Sequence, residues 1–163
     1  MANYFSAGSF RTLGTAVTPH NLFTIENIDA TTIVKVRRIT VQLDATAVLT
    51  GVMPLVKLSR ATAVPTGGTA LNKGLFDTTI ASDSNTIVRG ANASDGGAAT
   101  AITSTAGTTL WQQYCMRMHT VVGQVLAPDN NVAPLIIETQ DLVLRQNEAL
   151  LVQIVASAGA SNL

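Results

Sequence analysis

The sequence is poor in several residue types, and each shortage limits what the protein can be. Its 163 residues include one cysteine, so an intrachain disulfide framework is excluded and folding in a reducing cytosol is expected. Charged residues make up 12% of the chain, about half of the ~25% usual in soluble domains. Ten basic residues balance ten acidic ones without forming a basic block, so binding to nucleic acid is not expected.

Long apolar runs are also missing, which argues against a membrane role. No stretch of about eighteen apolar residues occurs, so no transmembrane span is expected. The N-terminal stretch MANYFSAGSFRTLG lacks the basic start and the long apolar core of a secretory signal. A chain of this length buries roughly 70% of the surface that its unfolded form exposes, so one core can support it.

Residues suited to catalysis or metal binding are few and do not form a known constellation. Cys115 and His119 lie close in sequence, but two ligands do not complete a tetrahedral site and no third group orients a nucleophile. Asp77, Asp83 and Asp95 lie in polar loops without the spacing of a calcium loop, and turn formation accounts for them better. We therefore expect no metal, no cofactor, no small-molecule substrate and no enzymatic activity.

Small, β-branched and hydroxylic residues dominate what is present. Apolar residues make up 47% of the chain, whereas aromatic residues make up only 4%. This composition favours sheets that pack in thin layers. A surface with little charge and no net charge disperses a free monomer poorly, so we interpret the chain as a subunit that its neighbours largely cover.

Alternation of apolar and polar residues predicts strands along much of the chain. Within the expected strand at 33–44 the alternation slips by one residue at Arg37-Arg38, which predicts a β-bulge or a sharp bend there. The expected strands before the closing hairpin lie at 21–28, 33–44, 52–59 and 135–138.

Residues 140–157 are expected to form a closing hairpin around which the rest of the chain is organised. A turn at Gln146-Asn147 would place Asn147 in the left-handed conformation, with Arg145 facing Glu148 as an ion pair. The second strand of the hairpin is apolar on both of its faces. Such a strand needs cover on both sides, from a second sheet or from another chain.

The middle of the chain gives the weakest signals. Residues 70–109 form a long loop region with short apolar pieces, and such regions are usually functional or interface-forming. Helical spacing of Leu110, Tyr114 and Met118 predicts a short helix or an irregular turn at 109–117.

About seven or eight short strands with very little helix are typical of an antiparallel sandwich. We predict an all-β fold, an antiparallel β-sandwich of jelly-roll type. A single domain at 20–163 would follow an extended N-terminal arm at 1–19.

The arm contains the first candidates for an interface. Tyr4, Phe5 and Phe10 are three of the seven aromatic residues of the chain, and Arg11 follows them. An arm free in water would not need these side chains, so we expect it to dock on a partner subunit. Packing of the arm over its own domain accounts for them equally well.

Three further residues complete the candidate interface. Arg37 and Arg38 would contact an acidic neighbour, although solvated strand arginines are the simpler account. Trp111 is the third.

The order of these features resembles a known family. An aromatic arm precedes VRRITVQLDATAVLTGVMPLVKLSRATAVPTGGTA, and Trp111 with the segment 117–120 precedes the closing pair LVLRQNEALLVQIVASA. Together they resemble small virion structural proteins of tailed bacteriophages, especially the jelly-roll decoration (cement) proteins that sit on capsids as trimers. Members often carry glycine in the last hairpin turn, where this chain has Gln146-Asn147.

The resemblance covers most of the chain and implies a function. A protein of this kind would bind the major capsid protein, clamp neighbouring capsomers after head expansion and need no cofactor. It would be assembled in the host cytoplasm and be found on the capsid surface of the virion.

Two other functions stay open. A tail-fibre or surface module that binds a receptor or a carbohydrate would need an exposed aromatic platform, for which Trp111 and Tyr114 are the candidates. An enzyme would need a polar cluster in a concave pocket.

Overall fold

The computed structural model describes residues 4–8, 20–41, 52–79, 83–90, 102–114 and 134–158, and within them it contains strands and no helix. The longer strands are β2 (His20–Asn27), β3 (Val34–Val41), β4 (Val52–Ala61), β8 (Thr86–Gly90), β10 (Ala106–Tyr114), β11 (Leu135–Leu144) and β12 (Glu148–Ala158). The two-residue strands are β1 (Phe5–Ser6), β5 (Thr66–Gly67), β6 (Thr69–Ala70), β7 (Gly74–Leu75) and β9 (Ile102–Thr103). All strand pairs are antiparallel, so the predicted all-β antiparallel fold is confirmed.

The closing strand β12 lies inside a six-stranded sheet with the order β10-β4-β12-β2-β8-β6. It pairs with β2 on one side and with β4 on the other. All six residues from Ala149 to Ile154 are buried, so the predicted cover on both faces is present. The two faces are covered by different parts of the chain.

One face of this central sheet packs against the two-stranded sheet formed by β3 and β11. The core between them is aliphatic, and it has the two-layer arrangement of a β-sandwich. Its buried members from the central sheet are Ile25, Val56, Leu58, Val88, Leu150, Val152 and Ile154, and those from β3 and β11 are Val34, Val36, Ile137 and Leu144.

The other face of the central sheet is polar and nevertheless buried. Thr24 and Ser59 flank Leu151 across neighbouring strands, and all three are buried. The two-stranded β5–β9 sheet approaches this face, since Asn21 Nδ2 donates to the Ile102 carbonyl of β9 over 2.8 Å. Gly68, with φ of 65°, sits so close to Ile102 that a Cβ there would lie 2.6 Å from its side chain.

The β3–β11 pair contains the predicted irregularity. Arg38 pairs with Glu138 and Val36 with Leu142, so three residues of β11 lie opposite the single residue Arg37. The slip at Arg37-Arg38 is therefore present, but the additional residues belong to β11. The Thr139 hydroxyl donates a hydrogen bond to the Val36 carbonyl, and the apolar alternation resumes beyond it on both strands.

The closing hairpin turns at Gln146-Asn147, as predicted, and Asn147 has a φ of 61°. Arg145 faces Glu148 across the turn, as predicted, because the Glu148 backbone N–H donates to the Arg145 carbonyl at 3.0 Å, but the expected ion pair between their side chains was wrong. The Glu148 carboxylate instead accepts hydrogen bonds from Arg60 Nη1 at 3.1 Å and from the Arg145 backbone N–H at 2.7 Å. Arg60 reaches it because β4 lies beside β12, a contact distant in sequence.

The left-handed Asn147 leads to a stability prediction. Asn147→Ala should lower the free energy of unfolding by about 1 kcal/mol, because a Cβ without a polar side chain is disfavoured in this conformation. Asn147→Gly should leave it unchanged or raise it, since glycine adopts this conformation freely. Urea denaturation followed by circular dichroism measures both, with Gln146→Ala as the neighbouring control. Equal stabilities for Asn147→Ala and Asn147→Gly would show that the turn does not need this conformation.

The expected helix or irregular turn at 109–117 was wrong for the residues that the structure describes. Residues up to Tyr114 belong to β10, where Trp111 to Tyr114 pair regularly with Leu58 to Leu55 of β4. Apolar residues at helical spacing do not by themselves distinguish the two structures, whereas threonine, tryptophan and tyrosine favour strands. The supposed loop region 70–109 likewise contains the five-residue strand β8.

Strands account for most of the described backbone. The described residues contain no helix that is long and apolar enough to cross a membrane. The jelly-roll connectivity and the extended arm stay predictions, because residues 1–3, 9–19, 42–51, 80–82, 91–101, 115–133 and 159–163 lie outside the described ranges.

Candidate functional site

The described part of the N-terminal segment lies against its own domain. Phe5 pairs with Leu75 and Ser6 with Gly74 in the short β1–β7 sheet. Phe5 is half-buried and packs against the core. Residues 4–8 thus pack over their own domain, which is the second of the two arrangements expected for the arm.

Lys73 holds this segment in place. Its Nζ donates to the Thr86 carbonyl at 2.7 Å and to the Asp83 carbonyl, and it lies 5.6 Å from the centre of the Phe5 ring. An ammonium group over an aromatic face is attracted by the ring's quadrupole. Lys73 therefore ties β1 to the turn that precedes β8.

Tyr4, Arg37 and Phe76 form an exposed surface beside β1, which we call the N-terminal patch. The Arg37 guanidinium lies 4.9 Å from the Tyr4 ring centre, and its Nη2 donates to the Tyr4 hydroxyl at 3.3 Å. The Phe76 backbone N–H donates to the Tyr4 carbonyl at 3.0 Å, which places the two aromatic residues side by side. Tyr4 is 48% exposed and Phe76 is 76% exposed.

Arg38, the neighbour of Arg37 on β3, has a different contact. Arg38 forms an ion pair of 3.3 Å with Glu138, its cross-strand neighbour, and both side chains are largely exposed. Such a pair contributes about 0–1 kcal/mol to stability. Its acidic partner is thus in its own chain. Phe10 and Arg11 lie outside the described residues.

Trp111 lies on β10, which is an edge strand of the central sheet in the described residues, opposite Leu58 of β4. It is half-buried and packs against the core, so much of its ring is engaged in the fold. The side chain of Tyr114 is outside the described part of the chain. The two residues therefore do not form an exposed platform in what the structure describes.

Two acidic residues proposed as turn formers have that role. Asp77 accepts hydrogen bonds from the hydroxyl and the backbone N–H of Thr79, which lower the pKa of its carboxyl. Asp83 accepts a hydrogen bond from the Asn85 backbone N–H at 2.8 Å and another from the Thr86 hydroxyl. Asp95 lies outside the described residues.

A third carboxylate joins two turns. Asp29 accepts hydrogen bonds from the backbone N–H and the hydroxyl of Thr31 and from the hydroxyl of Thr32, so its pKa lies well below the usual range. Asn85 Nδ2 donates to the same carboxylate at 3.2 Å, which links the β2–β3 turn to the turn before β8. Within the described ranges, no three histidine, cysteine, aspartate or glutamate residues are grouped as a metal site would require.

Sequence reasoning identified two of the three residues of the N-terminal patch. It missed Phe76, and it missed Lys73 as the residue that holds β1. The signal for Phe76 was the short apolar piece Leu75-Phe76, in which Leu75 of β7 is half-buried and Phe76, the residue after β7, is exposed.

No family model matches the chain, and no curated protein or solved structure matches it. The function must therefore be inferred from the fold and from its surface.

Proposed function

We propose that this protein is a structural subunit of a tailed-bacteriophage virion that decorates the capsid and stabilises its shell. In this proposal the subunit is a jelly-roll with an extended arm and forms a homo-oligomer, a trimer. It binds the major capsid protein through the N-terminal patch and the arm that continues from it. The low charge, the all-β fold and the resemblance of the sequence to decoration proteins support this function.

The N-terminal patch is the observation that carries the proposal. Aromatic residues and arginine are enriched at protein interfaces, and buried aromatic anchors account for much of the affinity. Phe76 is the most exposed of the large apolar side chains in the described residues, and Tyr4 and Arg37 lie beside it. A large apolar ring held outside the core by its own strand pairing is suited to a partner's pocket.

A receptor- or carbohydrate-binding module is the less favoured function. It needs a flat aromatic surface open to solvent, and the described ring suggested for that role, Trp111, packs partly against the core. The surface offered by Phe76 and Tyr4 combines apolar rings with an arginine, which suits a protein partner better.

A single substitution in the patch tests the proposal. Phe76→Ser should weaken binding to expanded capsids lacking the protein by about 30-fold or more, the effect of an interface anchor worth about 2 kcal/mol. Binding is measured by co-sedimentation of purified protein with such capsids. The fold should be unchanged, because the Phe76 side chain is mostly in water.

Ile33→Ser is the matched control, since Ile33 is a large apolar residue that is 52% exposed and lies outside the patch. It should bind capsids as the unmodified protein does. Equal binding by Phe76→Ser and the unmodified protein would remove the patch from the interface. Failure of the unmodified protein to bind capsids, with only a few copies per virion by mass spectrometry, would contradict the decoration function itself.

A further inference from the structure

The strand β10 forms one edge of the central sheet in the part of the chain that the structure describes. It pairs with β4 on one side and has no partner strand among those residues on the other. Its side chains are exposed on both faces: Leu110 is 41% exposed, and Gln112 and Gln113 are also exposed. An edge of this kind presents unpaired backbone N–H and C=O groups to its surroundings.

The edge of β10 lacks two common protections against pairing with another strand. Its residues, AGTTLWQQY, include neither a charge nor a proline. The register with β4 is irregular between Ala106 and Trp111, and such irregularity protects that half of the strand. From Trp111 to Tyr114 the pairing is regular, so this half remains a suitable template for a further strand.

The absence of charge also indicates which strand would add here. When two copies of a strand pair antiparallel about a two-fold axis, one residue faces its own counterpart and the residues before it face those after it, so a strand whose charges all have one sign opposes like charges. The strand β3 contains Lys35, Arg37 and Arg38, and β11 contains Glu138 and Asp141, so both would repel themselves. Of the longer strands with an open edge in the described residues, β10 alone avoids this cost.

We infer that β10 of one subunit pairs antiparallel with β10 of a second copy, so that the central sheet continues from one subunit into the other. This inference rests on the homo-oligomer of the proposed function and names one contact within it. A two-fold contact joins subunits in pairs, and it joins trimers in pairs where a different surface forms the three-fold contact.

Cysteine scanning tests the pairing directly. A two-fold axis perpendicular to a sheet makes one residue of the pair face its own counterpart, so a cysteine there can form an interchain disulfide. Single cysteines are placed at each position from 108 to 113 in a Cys115→Ser background, with Thr40→Cys on the exposed side of β3 as the control. After mild oxidation, non-reducing electrophoresis should show a covalent dimer that peaks at one position and falls off on either side. A flat profile equal to that of Thr40→Cys would overturn the inference.

Charged residues on the edge give a second readout. The double variant Gln112→Lys/Gln113→Lys should halve the mass measured by light scattering, because like charges then oppose each other across the pair. Thr40→Lys, which adds one charge at an exposed position on β3, should leave the mass unchanged. An unchanged mass for the double variant, with native circular dichroism, would also overturn the β10 contact.

Capsid binding separates this inference from the proposed function. If the β10 variants keep the native mass and the unmodified protein binds capsids, the β10 contact is wrong and the decoration function stands. If the double variant is halved in mass and still binds capsids, both are supported. An unmodified protein that stays monomeric at high concentration and ignores capsids contradicts both.

Discussion

Replacing Arg89 with methionine should lower the free energy of unfolding by about 3–5 kcal/mol, the cost of leaving a buried charge without its partner. Arg89 Nε lies 2.9 Å from Glu26 Oε1, and the Glu26 side chain is 1% exposed. The second carboxylate oxygen, Oε2, is buried and accepts no hydrogen bond from the described residues. Arg89 is therefore the cation that makes burial of Glu26 tolerable. Urea denaturation followed by circular dichroism measures the loss.

Two further variants isolate the buried charge as the cause. Glu26→Leu combined with Arg89→Met should recover much of the stability, because replacing a whole buried ion pair by apolar residues is often neutral. Arg38→Met, which removes the exposed partner of Glu138, should cost no more than about 1 kcal/mol. A similarly small loss for Arg89→Met would mean that water reaches the Glu26 carboxylate.

The pattern of the sequence predicted strands well where the signal was local. Leu150 to Ile154 alternate within one strand, and the left-handed Asn147 follows from the two-residue turn beside it. The slip at Arg37-Arg38 was also visible, because a change in the parity of apolar residues is written in the strand itself. That the extra residues lie on β11 can be seen only from the register in which β11 pairs with β3.

The errors arose where the structure of a residue depends on a strand that is distant in sequence. Leu110 and Tyr114 have helical spacing, and pairing with β4 decides that they belong to β10. Glu148 was assigned to the nearest arginine in sequence, whereas the arginine that reaches it, Arg60, comes from a strand 88 residues away. Local spacing does not contain this information.

The N-terminal patch shows the same difference between local sequence signals and contacts distant in sequence. The aromatic content of the arm pointed to Tyr4 and Phe5, because three of seven aromatic residues in a short segment is a compositional signal. Phe76 and Lys73 join them only through the pairing of β1 with β7, which brings together residues about 70 positions apart. A short strand pair of two residues leaves no periodic pattern from which it could be predicted.

Leu150→Ala should lower the free energy of unfolding by about 2–5 kcal/mol, through the lost burial of the side chain and the cavity left behind. Leu150 is fully buried at the centre of the central sheet, beside Ile25 on β2, and belongs to the core shared with β3 and β11. Its other cross-strand neighbour is Arg60 on β4, whose guanidinium already donates to Glu148 and to the Val143 carbonyl, so a water molecule in the space would find few free partners. Urea denaturation with circular dichroism gives the value, and the loss should be among the largest of any single alanine substitution in β12.

Leu151→Ala is the matched control, since it removes the same atoms from the next residue on the opposite face. Leu151 is also fully buried, but its cross-strand neighbours are Thr24 and Ser59. The buried hydroxyls of these two residues accept no hydrogen bond and donate none within the described residues, so a water molecule entering the space would find partners. Leu151→Ala should therefore cost less than Leu150→Ala. The reverse order would mean that the main core lies on the β5–β9 side of the sheet and not between the central sheet and the β3–β11 pair.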